Sequence, residues 1–91
     1  MNLYIVIMQL SVGATLSSSQ EELRNIGEVA VLMENAFLMR TSMKATEVRD
    51  YIREHISPDR CYVSKLNHGA AWNNVLVPNS VIKEWYESID F

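Results

Sequence analysis

Three observations predict an α+β fold with a four-stranded antiparallel sheet. Residues 2–10, NLYIVIMQL, are apolar at seven of nine positions and rich in residues that favour a pleated strand. Leu3, Ile5 and Ile7 fall on one face of that strand and Tyr4, Val6, Met8 and Leu10 on the other, so both faces need cover and the strand belongs in the middle of a sheet. Residues 44–56, KATEVRDYIREHI, place Ala45, Val48, Ile52 and Ile56 on one helical stripe. The remaining segments fall into the order β, α, β, β, α, β.

The first helix is expected after the polar loop 11–19, capped by Ser18 with Glu21 or by Ser19 with Glu22, with Leu23 and Ile26 on its inner side. Gly27 stands where a left-handed residue would close it. Residues 28–33 and 36–42 then read as two strands joined through Glu34 and Asn35 in a two-residue hairpin. The rival is one continuous helix over 22–39, which Gly27 interrupts and whose apolar residues would cover every side.

The second helix has Met43 and Val48 at hydrophobic-staple positions and Glu47 at the third helical position, but a cation, Lys44, at the cap. Pro58 ends it, and residues 60–66 suit a half-exposed edge strand. Residues 67–77 form a loop around Gly69 and are expected to end in a short fifth strand. Pro78 opens a last amphipathic helix bearing Val81, Ile82, Trp85, Tyr86 and Ile89.

With right-handed crossovers this order closes as a ferredoxin-like sandwich, with a core over residues 1–67 and an extension over 68–91. Two helices cover one face of the sheet. The other face requires the C-terminal segment or a second copy of the chain.

The 91 residues suit a single domain, and 48% hydrophobic with 21% charged residues is ordinary for a globular one. A lone cysteine, Cys61, excludes an internal disulfide framework and fits a reducing, cytoplasmic setting. The apolar run at the N-terminus is too short for a membrane span and lacks a preceding cation. The net charge of −3 argues against non-specific DNA binding as the main activity. The middle of the chain alone is basic, with Arg40, Lys44, Arg49, Arg53, Arg60 and Lys65 against Glu47, Asp50, Glu54 and Asp59.

The run NIGEVAVLMENAFLMRTSMKATEVRDYI resembles small bacterial proteins labelled "SinR family", relatives in fold of the CRISPR-associated protein 2 and virulence-associated protein D families. The features shared are an N-terminal YIV strand, a Gly before the second strand, an aromatic-Leu-x-x-Thr third strand, an E-[VI]-R-D helix and a Pro-led last helix with Trp. The resemblance implies a homodimer and, in the CRISPR-associated relatives, a metal-binding Asp at the end of the first strand. Gln9 stands near that place, and a neutral amide is a poor partner for Mg²⁺.

The expected function is therefore a non-catalytic, homodimeric interaction or adaptor protein of a defence, toxin–antitoxin or phage counter-defence system, with no catalytic residue, metal or cofactor and a protein as its partner. A metal-dependent endonuclease and a nucleic-acid binder using the basic middle are the alternatives. Candidate anion or partner contacts are Arg40, Lys44, Arg49 and Arg53. The candidate dimer seam comprises Tyr4, Val6, Met8, Phe37, Met39, Trp72 and Trp85. His55 and His68 lack companions at metal-ligand spacing and read as surface residues; Ser17, Ser18 and Ser19 read as helix caps.

Overall fold

A computed structural model of the chain describes residues 1–67 and 69–88. The elements follow as β1 (Asn2–Gln9), α1 (Leu16–Leu23), β2 (Glu28–Met33), β3 (Ala36–Thr41), α2 (Ala45–His55), β4 (Arg60–Lys65) and α3 (Asn79–Glu87). The strands form one sheet in the order β2-β3-β1-β4, every neighbouring pair antiparallel. This is a ferredoxin-like sandwich with an added C-terminal helix, and β1 and β3 occupy its centre.

The two apolar rows of β1 feed two separate cores. On the first face, Tyr4, Val6 and Met8 join Phe37 and Met39 of β3 beneath Leu23 of α1 and Val48 and Ile52 of α2. On the second face, Leu3 and Leu38 lie under Val77, Ile82 and Trp85 of the C-terminal segment. The extension thus supplies the second cover within one chain.

Local chemistry differs from expectation in three places. The cap of α1 is Thr15, whose Oγ1 accepts from the Ser18 N–H at 3.1 Å, so the helix begins ahead of the serine run. Gly27 has no positive φ. A side chain there would place its Cβ 2.7 Å from the Arg40 carbonyl oxygen and 2.9 Å from Thr41 Cβ, so the requirement is close approach of β2 to β3 and not a left-handed cap. No fifth strand forms over residues 75–77; instead the Leu76 N–H bonds the Leu32 C=O at 3.0 Å, tying the loop to β2.

At the start of α2, Lys44 caps with extended backbone and no side-chain bond, while Glu47 Oε1 accepts from the Lys44 N–H at 2.9 Å. An ammonium cannot accept a bond, so half of the reciprocal box is missing, and its charge opposes the helix dipole. Lys44→Ser is expected to stabilise the fold by about 0.5–1 kcal/mol, read as a raised thermal midpoint.

Tyr4 ties this helix start to the sheet, its phenol donating to the Met43 C=O at 2.7 Å. Burial raises the Tyr4 pKa above its ordinary value, so the phenol stays a neutral donor through the physiological range.

Candidate functional site

The register divides the second face of the sheet into three cross-strand rows. The first runs Glu28, Arg40, Leu3; the second Ala30, Leu38, Ile5, Ser64; the third Met33, Ala36, Ile7, Tyr62. The C-terminal segment covers the first two. Arg40 is fixed by Glu28 (Nη2 to Oε2, 2.6 Å) and by Ser88 (Nη1 to Oγ, 3.0 Å), and its guanidinium carbon sits 5.1 Å from the centre of the Trp85 ring. Cation–π attraction of about 0.5–1 kcal/mol or more accrues where such a pair is partly desolvated.

The third row is left open. Ile7 is 37% exposed, Met33 46% and Tyr62 62%, and Leu76 beside them is 64% exposed. Three strand spacings of about 4.8 Å separate Met33 from Tyr62, and the β3 member of the row, Ala36, is small and buried between the exposed side chains. A groove of about 520 Å³ borders its β4 end, lined by Ile7, Gln9, Asn35, Arg60, Cys61 and Tyr62 among others. Gln9 Oε1 accepts from Arg60 Nη1 in this groove. The guanidinium places a fixed positive charge at the end of β1, which disfavours a cation there.

The expected seam residues do not reach this surface. Tyr4, Val6, Met8, Phe37 and Met39 are at most 2% exposed, because α1 and α2 seal the first face. Trp85 is buried against Arg40, and Trp72 is half-buried, its Nε1 donating to Asn79 Oδ1 at 2.9 Å and its ring stacked on Tyr86. Trp72 and Tyr86 also line an apolar cleft of about 320 Å³ with Ile5, Leu32, Leu38 and Leu66. These aromatic rings serve intramolecular packing. The sequence analysis missed Ile7, Met33, Tyr62 and Leu76, although the apolar alternation of the first strand contained Ile7.

The four cations proposed as one contact are not brought together. Arg40 lies on the second face, committed to Glu28, Ser88 and Trp85, whereas Lys44, Arg49 and Arg53 belong to the helical layer on the first. Arg49 is paired with its neighbour Asp50 at 2.9 Å. Arg53 is exposed and makes no ion pair among the described residues.

Tyr51 lies on the other flank of α2 from these arginines, its phenol donating to Glu22 Oε1 at 2.7 Å, a bond to the carboxylate that raises its pKa. His55 stacks on Tyr51 with ring centres 4.0 Å apart, and His68 lies outside the described residues. Among the described residues no group of three or more His, Cys, Asp or Glu has the geometry to hold a metal, and no helix is long and apolar enough to cross a membrane. Comparison with protein-family models, curated proteins and solved structures gives no match to this chain.

Proposed function

We propose that the chain is a non-catalytic interaction protein that pairs with a second copy of itself through the open third row. The observation that carries this reading is the set of exposed apolar side chains on that row, Ile7 beside Tyr62 and Met33 beside Leu76, on either side of the buried Ala36. Two such strips laid across each other on a two-fold axis bury apolar surface from both copies, the self-complementary geometry of an isologous dimer. The strip is narrow beside a standard interface of about 800 Å² per partner, so the dimer is expected to be weak, forming at micromolar concentrations and above. The Gln9–Arg60 pair supports an adaptor rather than a metal-dependent nuclease. The resemblance of the run over residues 25–52 is what supports a defence, toxin–antitoxin or counter-defence setting for such an adaptor.

Light scattering across a concentration series tests it. The mass is expected to rise from 10.4 kDa towards twice that value, and Ile7→Glu is expected to hold the protein at the monomer mass without unfolding it. A mass fixed at 10.4 kDa on concentration sinks the dimer. Chelator-sensitive cutting of RNA or DNA by the purified protein would overturn the non-catalytic reading.

A further inference from the structure

We infer that the outer edge of β4 receives an extended segment of another protein, with acidic and apolar residues alternating, as a fifth strand of the sheet. This rests on reading the chain as an interaction protein and names the partner's chemistry.

Two backbone bonds fix which groups β4 offers. The Met8 N–H bonds the Asn35 C=O on the β3 side of β1, and the Leu66 N–H bonds the Leu3 C=O on the β4 side. Even-numbered residues of β1 therefore turn their backbone groups to β3 and odd-numbered ones to β4. Arg60, Tyr62 and Ser64, opposite the odd positions, point inward; Cys61, Val63 and Lys65 point their N–H and C=O groups outward. β4 is the last strand of the sheet, and no described residue bonds these outward groups. The β2 edge is treated differently: it carries a register shift between Val31 and Met33 and is tied to Leu76. Irregularity, cover and edge charges are how edges are closed to strangers, and β4 has only the charges of Arg60 and Lys65, which leave it open to an acidic strand.

The charge around the open edge selects the guest. Tyr51 turns towards α1, and at 100° per residue Arg49 and Arg53, two positions to either side, lie on the opposite flank of α2. That flank overhangs β4, because α2 packs on β4 while α1 packs on β2. Arg60 and Lys65 stand exposed at the two ends of the strand. Guest residues opposite Cys61, Val63 and Lys65 would point towards the arginine flank, and those opposite Tyr62 would lie beside its exposed ring on the second face. With Arg49 already paired to Asp50, Arg53 and Lys65 are the cations that suit acidic side chains in the first set, and the Tyr62 ring suits apolar ones in the second.

A phosphate backbone fits less well. It accepts from the outward N–H groups but repels the outward carbonyls, whereas a peptide strand satisfies both. A second copy paired β4 to β4 would bring the two arginine flanks together.

The test is titration of isotope-labelled protein with a short blocked peptide alternating Glu and Val, followed by amide shifts. Saturable shifts confined to Arg60–Lys65 and neighbouring Ile7 are expected, with affinity reduced about tenfold by Arg53→Glu and by raising salt from 0.05 to 0.5 M. The same peptide methylated on alternate backbone nitrogens, so that it cannot donate to β4, is expected not to bind. Absence of saturable shifts, equal binding of the methylated peptide, or displacement by oligothymidylate at lower concentration overturns the proposal. Light scattering on the same samples separates the two readings: peptide binding by a permanent monomer removes the dimer alone, and dimerisation without peptide binding removes the strand-addition site alone.

Discussion

Trp85→Ala is expected to cost about 3–5 kcal/mol of folding free energy, a large fraction of the total that a domain of this size possesses. Trp85 is 7% exposed, packs with Leu3, Leu38, Val77 and Ile82, and roofs the Arg40 guanidinium. Its removal leaves a cavity over the middle of the second face and unroofs a cation whose Nε has no hydrogen-bond partner among the described residues. Denaturant unfolding reads the loss. The shift should be the same at every protein concentration, because the cover is intramolecular. A loss that grows on dilution would return Trp85 to an interface between copies.

Gly27→Ala and Gly27→Asn are expected to destabilise alike, each by about 2–4 kcal/mol, because any Cβ meets the backbone oxygen of Arg40 and must push β2 away from β3. The pairing of Ala with Asn makes the test specific. At a left-handed helix cap Asn is tolerated better than Ala, so a markedly milder Asn variant would restore the capping role. Thermal melts of both variants against the parent decide between the two accounts.

The features that were legible in the sequence are those set by short-range pattern. The double-sided apolar alternation of the first strand located it at the centre of the sheet, and Gly27 with the all-round apolar distribution of 22–39 correctly favoured a hairpin over a helix. The α2 stripe and its cationic cap were read from spacing alone. Features fixed by distant partners were not legible. Gly27 is required by residues thirteen and fourteen positions away, and the fate of Arg40 depends on where α3 comes to rest. The same dependence hid the open row. Leu3 and Ile7 share one side of one strand, yet Leu3 is fully buried and Ile7 is not, since α3 and its loop cover one end of the sheet and stop short of the other.

The two sheet edges differ as the two ends of a growing polymer can. A unit with two reactive ends propagates, whereas a unit with one reactive end terminates. The Leu76–Leu32 bond and the irregularity of β2 hinder addition at one edge of this sheet, although Val29 and Val31 still turn backbone groups outward there, whereas β4 carries neither hindrance. Growth through both edges is therefore disfavoured relative to addition at β4 alone, and a single bond in a surface loop works against fibre growth.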